Sequence, residues 1–560
     1  MFLILLLTAL NYNIVSVKRL LLLIPLISFL FIDINIPFVG PYGNNNSTYS
    51  LQAKNYVRFG YLKTNFAPFK NFGNNFPETP QYYLNHPPLL QILLSFSYKI
   101  FGQDNNWAGR LVPIVSTIMS IFILSKIIEI FFGSNRSKLS ILIASTLPMT
   151  IVYGKLLQFE PVLLPFILLS LFLFIKYVKG KSGKILLLLI LTVIIGFLAD
   201  WPVLSLAVLL GFLFLIHESR KKQGIVFFFI MTGVSLLLFI GYFTYTSSLT
   251  GEASTLSQAY LNRSFNGPPF HLPNSGLYFL KVMFLRFVVY FTPLGLLFSV
   301  LFLRKLVSDI KKSKLENKVF LLLFIFPLIY VLAFPNGAWE HPYWLFYFIP
   351  FVAISFTYYV SELFAKLKGW KKNILIFFLS LNLIFSFSIF QMKRVQTNKA
   401  LWQGSFVNKI VKFINSDKEI GINWDFNDDF LRYKLDRDVY ILWEKDHLME
   451  YLSKNPRSWD HFVFACWANC SDQDKRYFLS IENKYKVLWR DENALFIDLH
   501  QFSSSSSAAA QESTQIPSRW PQGLLEGGTL MKDESSKKNI LNQFIKLYRK
   551  LRDSLALEQI

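Results

Sequence analysis

The chain has 560 residues, of which 53% are hydrophobic and only 16% are charged. This composition is too apolar for a soluble enzyme of this length, and many apolar runs approach the roughly 20 residues that a helix needs to cross a bilayer. The formal net charge of +22 does not indicate nucleic-acid binding, because the lysines and arginines lie in short loops between apolar runs, where they set topology. The sequence therefore predicts a polytopic α-helical membrane protein whose partners include membrane lipids and no nucleic acid.

Eleven apolar segments predict transmembrane helices, and the short segments at 184–199 and 201–217 fit this prediction least well. The predicted spans are residues 19–39, 107–131, 139–156, 160–178, 184–199, 201–217, 225–247, 279–303, 318–334, 343–362 and 373–391.

Basic residues occupy every second loop. They are Lys18 and Arg19; Arg136 and Lys138; Lys179, Lys181 and Lys184; Arg220, Lys221 and Lys222; Arg304, Lys305, Lys311, Lys312 and Lys314; and Lys366, Lys368, Lys371 and Lys372. The positive-inside rule places all of these loops in the cytoplasm. It follows that the N-terminus is cytoplasmic and that everything after about residue 392 is extracytoplasmic.

The first outer loop, residues 40–106, contains two amphipathic stretches. STYSLQAKNYVRFGYL and PLLQILLSFSYKIFG both place apolar residues at helical spacing. Each is too polar or too short to span, so both predict helices lying in the membrane interface. A loop rich in asparagine and proline, ending in YYLNHPP, separates them.

Residues 396–501 predict a small extracytoplasmic α/β domain that follows the transmembrane domain, residues 1–395. Strands are expected near EIGINW, DVYIL, HFVFACW, KYKVLW and ALFIDL, with helices at DFLRYKL, HLMEYLSK and DKRYFLSI. This alternation favours a mostly parallel sheet. A low-complexity linker is predicted over residues 502–532 and an amphipathic basic helix over residues 533–560.

Ionisable side chains cluster at the outer ends of the predicted spans. They are Asp33, His86, Arg110, Lys155, Glu160, Asp200, Glu340 and His341. Charged groups at membrane depth are costly and indicate function, so together they could line a pocket open to membrane and outer water. Each also has a structural explanation: Glu160 could favour a helix N-terminus, Asp200 could cap the helix that begins at Pro202, and His341 could belong to an aromatic belt.

The motif FGxxxxWAGRL, from Phe101 to Leu111, follows NHPPLL and resembles the first outer loop and second span of C-type glycosyltransferases. The resemblance is strongest to the protein O-mannosyltransferases and lipid A aminoarabinose transferases, and it covers about residues 18–395. Further matching pieces are AKNYVRFG (Ala53 to Gly60), FEP (Phe159 to Pro161), ADWP (Ala199 to Pro202) and HPYWLFYFIP (His341 to Pro350).

The resemblance implies a transferase that moves a mannose-like or other sugar from a polyprenyl-phosphate carrier to a protein, lipid or glycan acceptor on the outer face, with inversion. Cationic groups would hold the carrier phosphate, and an acidic residue would act as general base. The substrate-binding candidates are Tyr83, Asn85, His86, Arg110, Lys155, His341 and Tyr343.

The expected first-loop acid is missing. Members of this group commonly carry an aspartate eight to ten residues before the segment matching AKNYVRFG, where this chain has Asn44, Asn45 and Asn46. Asparagine cannot serve as a general base. The remaining candidates are, in order, Asp33, Glu160 and Asp200.

Other functions stay open at this point. One is an oligosaccharyl or polymer-elongating transferase of similar architecture. A transporter or flippase for lipid-linked sugars is disfavoured by the absence of a sequence repeat and of charges at mid-membrane, whereas a non-catalytic scaffold is favoured by the missing acid. The seven histidines and scattered acids allow a divalent metal without requiring one.

Overall fold

The computed structural model describes most of the chain, and the ranges are residues 21–71, 75–218, 220–251, 254–264, 275–309, 314–414, 420–423, 428–437, 439–442, 460–466, 472–491 and 493–502. The predicted tail helix, the helix at HLMEYLSK and all but the first residue of the predicted linker lie outside these ranges.

Seventeen helices precede the C-terminal region in these ranges. The first nine are α1 (Ile24–Phe31), α2 (Gly43–Phe59), α3 (Leu89–Phe101), α4 (Asn106–Phe132), α5 (Ser134–Thr146), α6 (Pro148–Tyr153), α7 (Phe159–Gly180), α8 (Gly183–Ala199) and α9 (Pro202–His217). The next eight are α10 (Lys221–Thr250), α11 (Ser254–Arg263), α12 (Ser275–Phe291), α13 (Pro293–Ser308), α14 (Leu315–Ala333), α15 (Pro335–Glu340), α16 (Ile349–Lys366), which a 3₁₀ turn (Pro342–Phe348) precedes, and α17 (Trp370–Lys399).

The molecule is a polytopic helical bundle, although the count of eleven spans is not confirmed. Six helical segments in the described ranges are long and apolar enough to cross a membrane, and the count reaches seven if one bent pair forms a single span. Helices α8 and α9 have 17 and 16 residues, which at 1.5 Å per residue is about 25 Å, short of the roughly 30 Å hydrocarbon core.

Two predicted spans are interrupted. The segment 139–156 divides at Leu147 into α5 and α6, and 279–303 divides into α12 and α13, whose axes differ by 110°. The second break has a local cause: Thr292 has a φ of +68° and Pro293 begins the next helix. Proline lacks an amide hydrogen and favours the first turn of a helix, so the chain changes direction there.

Helix α7 lies at the centre of the bundle. Every residue from Phe159 to Ile175 is buried, which fits the near-continuous apolar sequence FEPVLLPFILLSLFLFI. The first turn of this helix carries Glu160, so the centre of the fold brings a carboxylate to one end of the bundle.

Contacts between turns show which turns lie together at each end of the bundle. At one end Asn46 Oδ1 accepts a hydrogen bond from the backbone amide of Leu157 (2.9 Å), and the side chain of Asn336 donates to the carbonyl of Asn262 (2.6 Å). At the opposite end Arg136 pairs with Glu362 at 2.6 Å. The pairing of Arg136 with Glu362 brings together two of the turns that the alternation of basic loops predicts at one end. We refer to the other end as the site end.

The two helices predicted in the first loop are present as α2 and α3. Their predicted position in the membrane interface stays a prediction. Within the structure α2 packs on α3, where Gln91 Nε2 donates to Gln52 Oε1 at 2.9 Å and Tyr98 donates to Ser50 at 2.8 Å. Side-chain hydrogen bonds therefore hold α2 and α3 together at the site end.

The C-terminal region forms one five-stranded sheet. After α18 (Leu401–Ile410) come β1 (Ile420–Asn423), α19 (Asp428–Leu435), β2 (Val439–Leu442), β3 (His461–Ala465), α20 (Asp472–Glu482), β4 (Tyr485–Asp491) and β5 (Ala494–Phe502). All five predicted strands are therefore confirmed.

The prediction of a mostly parallel sheet is wrong for half of its pairings. The strand order is β2-β1-β3-β5-β4, with β1 parallel to β2 and β3 but β5 antiparallel to β3 and β4. Only two residues separate β4 from β5, and so short a connection can join strands only as an antiparallel hairpin. The predicted boundary at residue 396 falls within α17, and the predicted domain limits stay a prediction.

The C-terminal region rests on α2. Thr48 donates to Asp429 Oδ2 at 2.6 Å, and Arg58 forms a two-bond pair with Asp436 at 3.1 and 2.5 Å. Both acids belong to α19 or the residue after it. This contact fixes α2 from outside, while α3 fixes it from within.

Gly109, in the motif FGxxxxWAGRL, permits the close packing of α4 on α3. A Cβ atom at this position would lie 2.6 Å from the Tyr98 hydroxyl oxygen and 3.2 Å from a methyl carbon of Leu157.

We expect Gly109→Ala to destabilise the protein by about 1–3 kcal/mol through overpacking, measured by thermal unfolding in detergent. Gly233→Ala is the matched control, because nothing lies within 4 Å of its added carbon. A Gly109→Ala protein as stable as this control would contradict the packing role.

Candidate active site

A buried hydrogen bond joins the first loop to the turn between α8 and α9. His86 Nδ1 lies 2.8 Å from Asp200 Oδ1, and the two residues are 7% and 1% exposed. The same carboxylate oxygen accepts the backbone amide of Trp201 at 2.8 Å. Asp200 thus bonds the amide of Trp201, the N-cap residue of α9, without capping the helix with its side chain, and it also holds the histidine.

Arg263 is the hydrogen-bond partner of the second ring nitrogen of His86. Its Nη2 lies 3.1 Å from His86 Nε2, and because a guanidinium only donates hydrogen bonds, Nε2 accepts. Nδ1 then carries the proton and donates to Asp200. Burial lowers the pKa of His86, although Asp200 opposes this shift, so the imidazole is neutral at neutral pH.

The backbone on both sides of His86 is also held. The indole of Trp201 donates to the carbonyl of Asn85 (2.8 Å), and the hydroxyl of Tyr242 lies 3.0 and 2.9 Å from the carbonyls of Leu84 and His86. Phe159 stacks on the imidazole with ring centroids 4.1 Å apart. The proline-rich YYLNHPP loop is therefore positioned by α7, α9 and α10.

Glu160 lies beside this group. It is 3% exposed, and it is close enough to Asp200 and Arg263 for their charges to act on its carboxylate. Glu160 Oε2 and Asp200 Oδ2 are both buried without a hydrogen-bond partner among the described residues. Buried carboxylate oxygens normally have partners, so these two oxygens are available for a ligand.

Tyrosines complete the wall of the site. Tyr83 stacks on His86 at 6.1 Å and meets Tyr49 edge-on at 5.9 Å. Tyr343 interacts with the charge of Glu160, and His341 stacks on Tyr343 at 5.0 Å. Burial and the positive charges of Arg263 and Arg286 lower the pKa of His341.

Sequence reasoning missed Arg263, which acts electrostatically on most of this group. Its charge acts on Tyr83, Glu160, Glu340 and His341. A signal was present: Arg263 is the only lysine or arginine in residues 248–278, and a basic residue in an outer loop runs against the charge bias.

Three predicted residues lie elsewhere. Asp33, Arg110 and Lys155 line a separate cavity with Lys393 and Arg394, and neither Glu160 nor Asp200 lines it. Asp33, the first candidate for the base, forms a two-bond pair with Arg394 whose Nη2 contact is 3.0 Å. Both of its oxygens are thus engaged by a guanidinium.

The asparagines that replace the expected acid occupy the first turn of α2, between the two groups. Asn45 Nδ2 donates to the Tyr343 hydroxyl at 2.9 Å, on the side of Glu160, whereas Asn46 lines the separate cavity. Asn44 is exposed. The position of the expected acid therefore borders Tyr343, and Glu160 approaches the same tyrosine from α7.

The described residues contain no cluster of three or more histidine, cysteine, aspartate or glutamate side chains that could hold a metal ion. Glu160 and Asp200 offer two oxygens, and the nitrogens of His86 are both engaged. The arrangement instead suits proton transfer at a carboxylate and stabilisation of an anion by Arg263.

Comparison with known proteins relates this arrangement to a family. Residues 85–244 match the family model described as dolichyl-phosphate-mannose-protein mannosyltransferase. That range contains His86, Glu160 and Asp200. No curated protein sequence matches the chain.

Two solved structures share the fold. ArnT from Cupriavidus metallidurans, bound to undecaprenyl phosphate, matches with a TM-score of 0.56 and 13% identity over 87% of this chain and 98% of that chain. Archaeal oligosaccharyltransferase AglB from Archaeoglobus fulgidus, in complex with an inhibitory peptide and a dolichol-phosphate, matches with a TM-score of 0.51 and 12% identity over 80% and 70%. Residues 85–244 therefore resemble the dolichyl-phosphate-mannose-protein mannosyltransferase family, and the chain shares the fold of ArnT and AglB.

Proposed function

We propose that this chain transfers a sugar from a polyprenyl-phosphate carrier to an acceptor hydroxyl on the outer face of the membrane, with inversion at the anomeric carbon. The observation that carries the proposal is the pair of buried, unpartnered carboxylate oxygens on Glu160 and Asp200 beside Arg263. A base and a cation held together at the end of an apolar bundle are what transfer from a lipid phosphate requires.

Glu160 is the proposed general base. Asp200 commits Oδ1 to His86 and the Trp201 amide, and Asp33 is paired with Arg394. Glu160 Oε2 has no hydrogen-bond partner among the described residues, and the carboxylate charge acts on Tyr343, which borders the position of the missing acid. The base has thus moved from the first turn of α2 to the first turn of α7.

Arg263 is the proposed partner of the carrier phosphate. Neutral His86 accepts one of its N–H groups, and Asp200 keeps His86 in the tautomer that does so. The remaining guanidinium donors suit phosphate oxygens, for which arginine has the matching geometry. Because the carrier tail is a hydrocarbon, it stays in lipid and no soluble nucleotide site is needed.

The reaction is a single displacement. The acceptor hydroxyl gives its proton to the Glu160 carboxylate while its oxygen bonds to the anomeric carbon. The bond from that carbon to the phosphate oxygen breaks, and its electron pair stays on the phosphate. Arg263 stabilises the charge that develops there, and attack opposite the leaving group inverts the anomeric carbon.

We place the site end on the outer face, with the N-terminus cytoplasmic. The turn that carries Arg136 lies at the opposite end, and the positive-inside rule favours the cytoplasm for such basic turns. Cys466, in the C-terminal region, is disulfide-bonded, which is typical of an oxidising compartment. The acceptor can be a protein, a lipid or a glycan, and the donor sugar can be a hexose or a pentose. The alternative functions, a flippase or a non-catalytic scaffold, would show no sugar transfer.

Replacing Glu160 tests the base. Glu160→Gln keeps the shape but cannot take a proton, so transfer from radiolabelled polyprenyl-phosphate mannose or related carriers should fall about 10²–10⁴-fold. Glu362→Gln, at the opposite end, is the matched control and should retain activity. Asp33→Asn should lose much less than Glu160→Gln. Equal activity of Glu160→Gln and wild type would exclude Glu160 as the base, and no transfer by wild type would favour a flippase or scaffold.

Replacing Arg263 tests the phosphate partner. Arg263→Gln should lower kcat about 10²–10³-fold, because charge on the leaving phosphate is then unsupported. Arg263→Lys should recover part of the loss, since charge returns without the forked geometry. Arg220→Gln, in a basic turn, should behave as wild type. If Arg263→Gln changed neither kcat nor KM for the carrier, the phosphate would have to bind elsewhere.

The neutral state of His86 predicts a pH effect on stability. Its pKa is lowered in the folded protein, so the unfolded chain takes up a proton first as pH falls below about 6.5. The thermal unfolding temperature of wild type should therefore fall between about pH 6.5 and 5, and that of His86→Gln should fall less. Parallel curves for the two proteins would mean that His86 is not held neutral.

A further inference from the structure

The cavity that holds Asp33 is a second charged site, of the opposite sign to the first. Its volume is about 70 Å³, room for several water molecules at 10–15 Å³ each and so for a phosphate-sized group. Four basic side chains, those of Arg110, Lys155, Lys393 and Arg394, line it against the single carboxylate of Asp33.

Two of the basic residues, Arg110 and Lys155, donate hydrogen bonds to backbone carbonyls. Arg110, 4% exposed, donates to the carbonyls of Ile34 (2.8 Å), Ile36 (2.6 Å) and Pro37 (3.3 Å). Lys155 donates to the carbonyl of Ile32 at 2.6 Å. Carbonyl oxygens satisfy the donors but leave the positive charges uncancelled.

Crowding of like charges is costly in this position. The charges of Arg110 and Arg394 repel the Lys155 ammonium, and that of Asp33 attracts it. Buried charges in proteins are normally paired or bound to ions. An anion in the cavity would relieve the repulsion and complete the pairing.

The surroundings favour a lipid as the source of that anion. The cavity wall contains Val152, Leu156 and Phe390 beside the charges. Phe390 and the two cations after it belong to α17, whose outward side exposes large apolar residues such as Phe377 and Ile384. A headgroup entering along α17 could keep its acyl chains against this apolar surface.

We propose that this cavity binds the phosphoryl group of an anionic membrane lipid, separately from the transfer site around Glu160 and Arg263. Its bound phosphate would lie against Tyr42 and Asn46 at the start of α2. Tyr42 packs edge-on against Tyr343 at 5.5 Å, so one layer of tyrosine separates the two sites.

The test measures lipid binding without any sugar donor. Full-length protein is purified in a neutral detergent, and its thermal unfolding is followed during titration with phosphatidylglycerol, phosphatidylcholine or inorganic phosphate. Phosphatidylglycerol should raise the unfolding temperature and phosphatidylcholine should not. Stabilisation by inorganic phosphate at similar concentrations would show the same phosphoryl site filled from solution instead.

Charge variants locate the effect. Lys155→Gln and Lys393→Gln should each raise the half-saturating phosphatidylglycerol concentration at least about tenfold, whereas Lys155→Arg should keep wild-type binding. Lys99→Gln is the matched control and should bind as wild type. Lys99 belongs to α3, and its ammonium lies over the ring of Tyr61. Because Lys155 also bonds to Ile32, the Lys393 variant keeps the test valid if Lys155→Gln does not fold.

Two results would overturn the proposal: wild type that shows no preference for a phosphoryl ligand, or variants at Lys155 and Lys393 that bind it as tightly as Lys99→Gln. Glu160→Gln should bind the lipid normally. Loss of transfer and loss of lipid binding are therefore separate outcomes.

Discussion

The hydrogen bond between His86 and Asp200 is the contact on which the arrangement of the site end depends. An aspartate carboxylate that is 1% exposed needs hydrogen-bond partners, and His86 and the Trp201 amide supply them to Oδ1, whereas Oδ2 has none among the described residues. The bond ties a loop rich in proline to the α8–α9 turn. It also sets the tautomer of His86, and through it the position of Arg263.

Opposite charges are sorted into two neighbouring groups. Around Glu160 and Asp200 two carboxylates face one guanidinium, whereas around Asp33 four basic side chains face one carboxylate. The first turn of α2 separates the groups, with Tyr42 on one side and Tyr343 on the other. The C-terminal region holds α2 from outside through Asp429 and Asp436. The proposed proton acceptor and the proposed anion site thus lie close together without neutralising each other.

The sequence predicted one pocket lined by ionisable groups that include His86, Glu160 and Asp200, and it made Tyr343 a substrate-binding candidate; the structure brings these four together. Asp33, the first-ranked candidate for the base and the acid nearest in sequence to the missing one, lies instead in the separate cavity, paired with Arg394. Nearness along the chain does not predict which acids share a site in a helical bundle. Arg394, the partner of Asp33, is 361 residues away in sequence, and no local pattern could have paired them.

The sequence alone determined the membrane character, the positions of the first-loop helices, the alternation of the turns and all five strands. These follow from composition, periodicity and loop charge, which are local properties. Only the tertiary structure decided where helices break, that half of the strand pairings are antiparallel, and which ionisable groups share a site. Burial and pairing of charges depend on contacts between distant segments, and those contacts made Arg263 a member of one site and Asp33 a member of another.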